Sequence, residues 1–383
     1  MASLNRFTNA GAFRAIRREL LIAWLRPWAS YLERRGLTLP APESERSVDY
    51  DKLAGVFIDP MPDMPAELVD SVFLIHGMAN PAGMDILLEG AAARGLSLEV
   101  GAKDAPADVA VRMWLLNPSL LEDLHNYREL TRPRAFQYFA TDVDPVPAFA
   151  GPTEAQTAAL EERLNRFYVA WHHGHGAKVF TYKRGDKWSF LIRHGAVPKR
   201  QGAMEDGQET SVFFRPLRHD VLLYSASRGE MGVNCCSEKE RRLLLRVFGS
   251  CLFGRADFFP GTSKYTLWPL LKHGRDCLAC ADVPGIERVG LTGLELKSKE
   301  KGEREIREAP DVFRLIERGK MRWPVELHEI ARATFTVKFW RAKKPRRVSI
   351  VPSNKVVYGR DGDAALVEPW MEAREFVVAD WKN

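Results

Sequence analysis

The chain has 383 residues, 45% of them hydrophobic and 28% charged, with a formal net charge of +6. That composition excludes a disordered or collagen-like polypeptide, and no apolar run reaches the roughly 18 residues of a membrane-spanning helix. Five cysteines, few and odd in number, argue against a secreted disulfide framework and for a soluble protein in a reducing, cytoplasmic setting.

Residues 8–36 read as a helix or a pair of helices, because Phe13, Ile16, Leu20, Trp24 and Trp28 recur at three- and four-residue steps. Pro27 kinks or ends that run, and its longest apolar stretch, Leu20 to Leu25, is too short for a secretory core. A polar, proline-bearing linker follows over 37–49. Further helix starts lie near Asp63, at Asn80-Pro81 and at Pro106, so residues 1–135 are mainly α. Residues 41–109 hold 13 acids against 4 bases, a net of −9, which leaves +15 for the remainder. Clustered positive charge is the footprint of a polyanion binder.

A helix opens at Thr153, and then the period changes to two. Residues 179–192 turn at Arg184-Gly185-Asp186 as a β-hairpin, and strands follow at 211–214, 221–224 and 231–233. Ser237 with Glu240 forms a capping box for a helix that Gly254 closes. Strand candidates follow at 277–282, 286–296, 334–339 and 347–350, with a short helix near Asp311 and a last one from Asp363. The class is α+β: an α-helical region over 1–150, an antiparallel β-sheet region with a packed helix over 151–300, and a basic hairpin with a helix over 301–383, continuous with the preceding domain or separate from it.

Two basic stretches carry the functional expectation. Lys338, Arg341, Lys343, Lys344, Arg346 and Arg347 crowd ten residues beside Trp340. Lys183, Arg184, Lys187, Arg193, Lys199 and Arg200 are interleaved with Tyr182 and Trp188. Packed cations next to aromatics suit phosphate contact and base stacking. The alternative is solvated hairpin tips whose lysines deter aggregation.

A chemical alternative rests on Asp282, which ends one strand candidate, and on Glu295 and Lys297, which end the next as Glu-x-Lys. This set resembles the Asp…Glu-x-Lys pattern of the restriction-endonuclease-like nucleases. That resemblance implies a magnesium or manganese ion held by the two acids and a lysine that helps activate water. It covers about sixteen residues. Cys277 and Cys280, with His273, have zinc-knuckle spacing but lack a complete ligand set, so zinc is disfavoured and buried thiols are expected. His172, His173 and His175 are read as the end of a helix. Phosphate-loop, dinucleotide, nucleophile-elbow and zincin motifs are absent. The expectation is a nucleic-acid-binding protein, of DNA or RNA, without a cofactor. A metal-dependent nuclease is the first alternative. The second is an interaction subunit that meets a protein partner through helix 8–36 or the acidic region 41–109.

Overall fold

The computed structural model describes residues 9–41, 43–44, 46–61, 63–98, 100–101, 104–131, 135–205, 207–298, 303–319, 328–340, 342, 344–359, 363–379 and 381. The chain separates into two compact units between Arg128 and Glu129. Charge separates with them: counted along the sequence, residues 1–128 carry −4 and residues 129–383 carry +10.

The first unit is helical: α1 (Ala10–Arg14), α2 (Arg18–Leu25), α3 (Ala29–Arg34), α4 (Tyr50–Ile58), α5 (Ala66–Met78), α6 (Pro81–Ala92), α7 (Pro106–Leu116) and most of α8 (Pro118–Thr131). Local chemistry sets its boundaries. Asp49 accepts from the Lys52 amide to start α4, and Asn80 accepts from the Gly83 amide ahead of Pro81 to start α6, which satisfies amides that a helix end leaves open. Pro27 stops α2 at Leu25, and the chain passes through the 3-10 turn Arg26–Trp28. Phe13, Ile16, Trp24 and Trp28 are buried with Leu68, Ile75 and Met113 in this unit's own core. The apolar face read over this segment is therefore covered within the unit from Phe13 to Trp28. The acidic run is also partly neutralised within the unit: Arg17 and Arg112 hold Asp104, Arg35 holds Asp59, and Arg34 holds Asp63.

The second unit contains β1 (Ala135–Ala140), α9 (Glu154–Ala170), β2 (Lys178–Arg184), β3 (Lys187–Gly195), β4 (Lys199–Glu205), β5 (Gln208–Phe214), β6 (Leu217–Ser225), β7 (Glu230–Asn234) and α10 (Glu238–Phe253). It continues with α11 (Trp268–His273), β8 (Ile286–Ser298), β9 (Arg304–Glu308), α12 (Val312–Glu317), β10 (His328–Phe339), β11 (Arg346–Val351), β12 (Lys355–Tyr358) and α13 (Ala364–Ala373). Ten strands form one sheet in the order β2-β3-β6-β7-β1-β12-β11-β10-β8-β9, while β4 and β5 form a separate ribbon. All the pairings are antiparallel, so the class is α+β. The expected change at 150 lies earlier because β1 belongs to the middle of the sheet, and no division falls near 300 because β8 pairs with β10 across it. The stretch 277–282 is not a strand. It holds the end of the 3-10 helix Gly274–Leu278 and a turn, bounded by Gly274 and Gly285 at positive φ.

The sequence shows no repeat, yet the topology has one. From β1 at the middle the chain crosses through α9 to the edge, returns as β2, β3, β6 and β7, and leaves in α10. A second passage begins near the middle at 261–265, where Gly261 bridges Ala140 and Tyr265 bridges Ser353. It crosses through α11, returns as β8, β10, β11 and β12, and leaves in α13.

The helices fall on opposite faces. Phe139 and Met231, cross-strand partners, share a core with Leu160, Leu164 and Tyr168 of α9 and with Leu244 and Phe248 of α10. Phe136, three residues before Phe139, points the other way. Its register runs through Val356, Ile350 and Ala333 to the face of Phe335, where Trp370 of α13 packs with ring centroids 5.3 Å apart. The outer sides of α9 and α10 are thus presented on a face of their own.

Candidate nucleic-acid interface

The two basic stretches do not form one surface. Six strand steps separate β3 from β10, roughly 30 Å at the usual inter-strand spacing. Within each stretch the cations are further divided by strand alternation and by partners. Lys183 lies 5.2 Å from the Trp188 ring, Lys187 pairs with Glu368 at 3.5 Å, and Arg193 covers the Phe180 ring at 4.9 Å. Lys199 and Arg200 stand on the separate ribbon, where Arg200 Nε donates to Ser211 Oγ at 2.9 Å. In the C-terminal stretch Lys338 pairs with Glu287 at 3.3 Å, Arg346 with Asp363, and Arg347 with Glu308 at 2.9 Å. Trp340 is 73% exposed and its indole N–H donates to the Ile286 carbonyl; Lys344 is exposed. The side chain of Arg184 and the residues Arg341 and Lys343 lie outside the described residues.

The nuclease set is not brought together either. Asp282 precedes β8 and is paired with Arg374, whereas Glu295 and Lys297 lie near its far end. The nine residue steps of strand from Ile286 to Glu295 span roughly 30 Å, beyond the reach of two carboxylates that share one ion. Glu295 instead faces Arg304 at 3.2 Å and Arg332 at 3.6 Å. Among the described residues no three His, Cys, Asp or Glu side chains gather in a way that could hold a metal ion. Cys277 is buried, its Sγ donates to the Gly274 carbonyl at 3.0 Å, and burial pushes its thiol up to about 12.

A different surface has the required chemistry. Between the outer sides of α9 and α10 lies a groove of about 890 Å³. Arg163, Arg166 and Phe167 line it from α9, and Lys239, Arg242 and Arg246 from α10, with Trp171 at one end and Glu238 as the single acid of the lining. Thr153 and Gln156 form the capping box that starts α9, and Ser237 starts α10 by accepting from the Glu240 amide. The three- and four-residue steps from Arg163 to Phe167 and from Lys239 to Arg246 then place these side chains on one stripe of each helix. The buried stripes, Leu160-Leu164-Tyr168 and Leu244-Val247-Phe248, orient the basic stripes outward. Arg166 and Arg242 pair with Glu162 and Glu238 one turn away, all four side chains well exposed. Such pairs contribute about 0–1 kcal/mol and yield readily to a stronger anion. Arg163 and Arg246 have no ion pair among the described residues. Lys239 Nζ sits 4.2 Å from the Trp171 ring centroid, and Phe167, 41% exposed, stands 6.1 Å from the same indole.

A cluster of rings runs inward from this groove, with Trp171 edge-on to His173 and the rings of His173, Tyr168 and His194 nearly parallel. Trp171 is followed by His173, Tyr168 and His194, with ring centroids 6.3, 5.7 and 4.1 Å apart. Burial lowers the pKa of His173. An unfolded His titrates near 6.5, so below that pH the unfolded chain takes up the proton first. Stability is therefore expected to be full above pH 6.5 and to fall as the pH drops through the window between 6.5 and the lowered value. Charged groups that face the ring, Glu240 from α10, His194 from β3, and Arg218 and Asp220 from β6, modulate the shift. Urea unfolding at pH 7.5 and 5.5 checks this: the wild-type chain loses more stability than His173→Gln, and equal losses would reject the assignment.

The sequence reading missed this groove because it took α10 for its apolar stripe alone. The signal was present in Lys239, Arg242 and Arg246 at three- and four-residue steps, matched by Arg163 and Arg166 some 80 residues earlier. Compared with protein-family models and with curated protein sequences, the chain matches none.

Proposed function

We propose that the chain binds nucleic acid through the α9–α10 groove. The observation that carries this is five exposed cations against one acid around a groove that also presents Phe167 and Trp171. Guanidinium and ammonium groups take phosphate oxygens, and the rings offer stacking surfaces. The +10 charge of residues 129–383 adds long-range attraction.

The test is fluorescence anisotropy with a labelled oligonucleotide. Five phosphate contacts predict a log–log salt slope of roughly −3.5 for a single strand and −4.5 for a duplex. Affinity then falls between about 100- and 500-fold from 50 to 200 mM salt. Arg163→Gln with Arg246→Gln is expected to lower the slope by about 1.4 to 1.8 and to weaken binding at least about tenfold at 50 mM salt. The reading is overturned by absence of binding at 50 mM salt, by a double variant that matches the wild type, or by polyglutamate that competes as well as nucleic acid.

A further inference from the structure

We infer that the ligand of this groove is single-stranded nucleic acid, its phosphates held along α10 and unpaired bases stacked on Trp171 and Phe167. The inference rests on the nucleic-acid reading above and narrows it to one class.

Three features of the groove suit a single strand, and the first and third select against a duplex. The first is width. The walls are two packed helices, whose axes stand about 8–10 Å apart, while the major groove of a duplex alone is about 12 Å wide. A duplex rests on the rim and meets only part of the lining. A single strand enters and meets both walls, with Arg163 and Arg166 on one side and Lys239, Arg242 and Arg246 on the other.

The second is the spacing of charge. Lys239, Arg242 and Arg246 lie three and four residues apart, which is about 4.5 and 6 Å along the helix axis. That row runs beside a backbone whose phosphates follow one another at similar intervals. All three side chains are exposed, so small adjustments bring each onto its own phosphate.

The third is the pair of rings. The Phe167 and Trp171 planes are inclined by 55° with centroids 6.1 Å apart, open at the groove and not closed on each other. In a duplex both faces of each base are already stacked, so rings of this kind contribute only with unpaired bases. Lys239 Nζ at present lies 4.2 Å from the Trp171 ring centroid. When a base stacks there, the ammonium moves off the ring to the adjoining phosphate, and one cation–π contact is exchanged for a stacked base and an ion pair. Readout through ring faces, without hydrogen bonds to base edges, makes the site tolerant of sequence.

The experiment compares a single strand of about 12 nucleotides with the duplex of the same sequence, at low salt, on the full chain. The expected result is tighter binding of the single strand. Phe167→Ala and Trp171→Ala each weaken single-strand binding by roughly ten- to hundredfold and leave duplex binding within about twofold. Trp171→Phe restores most of the loss and shows that stacking, not folding, is read. Arg163→Gln with Arg246→Gln weakens both ligands. Equal affinity for strand and duplex, or single-strand affinity unmoved by both aromatic variants, overturns the single-strand inference and leaves the nucleic-acid reading in place. Failure of both ligands to bind overturns that reading itself.

Discussion

Lys264→Met is expected to destabilise the second unit by about 3–5 kcal/mol, the cost typical of removing one partner from a buried ion pair. Lys264 is 1% exposed. Its ammonium contacts Glu230 Oε1 at 2.5 Å and lies 3.7 Å from the Tyr138 ring centroid, with the Tyr265 and Trp381 rings at 5.3 and 5.8 Å. The hydroxyls of Tyr138, Tyr265 and Tyr358 are held well above their ordinary range, chiefly by burial. They stay neutral, and Lys264 is the cation that compensates Glu230. Glu230 Oε2 has no hydrogen-bond partner among the described residues, so loss of the lysine leaves a buried carboxylate without its counter-ion. The position explains why the effect is large. Glu230 opens β7 in one half of the sheet, Lys264 lies in the segment that begins the second passage, and Tyr138 stands on the central strand β1. Urea unfolding of the full chain measures the cost. Adding Glu230→Leu removes the stranded charge and is expected to recover most of it. A single-variant cost below about 1 kcal/mol, or no recovery in the double variant, would show that the pair is not what joins the two halves.

What the sequence made legible was local. The Thr153 helix start, the Ser237 cap and the Gly254 stop are short-range hydrogen-bond chemistry, and each sits where the sequence placed it. The hairpin turn at Gly185 needs a positive φ and has one. What was not legible was long-range. Strand order decides that two basic stretches stand at opposite ends of one sheet, and no periodicity encodes strand order. Asp282 and Glu295 look close because thirteen residues separate them, but β8 extends most of those residues into a straight run. Charge density along the sequence also misleads in strands, where neighbours alternate faces and cross-strand acids such as Glu308 meet Arg347. In helices the reverse holds. Arg163 and Arg242 are remote in sequence, and only the packing of α9 on α10 makes them one surface.

Beneath that surface Asp220→Ala is expected to cost about 2–6 kcal/mol, the sum for two stranded buried donors, more than the roughly 1 kcal/mol expected of Tyr168→Phe. His194 Nδ1 lies 2.8 Å from the Gly195 carbonyl oxygen and Nε2 lies 3.1 Å from Asp220 Oδ2. A carboxylate only accepts, so the ring offers Nε2–H to Asp220. The Tyr168 hydroxyl donates to the same Asp220 oxygen at 3.4 Å, and burial keeps that hydroxyl protonated. Its ring lies parallel to His194, 5° between planes. His194 and Asp220 are 2% and 1% exposed, so water cannot replace a missing carboxylate. Removing Asp220 strands two buried donors, whereas removing the tyrosine hydroxyl strands nothing, because His194 still holds the acceptor. Thermal and urea unfolding of the two variants decides the matter by their order. Equal costs would mean that Asp220 is not the shared acceptor. The outcome also bears on the groove, since the ring contacts that begin at His194 reach Trp171 through Tyr168 and His173.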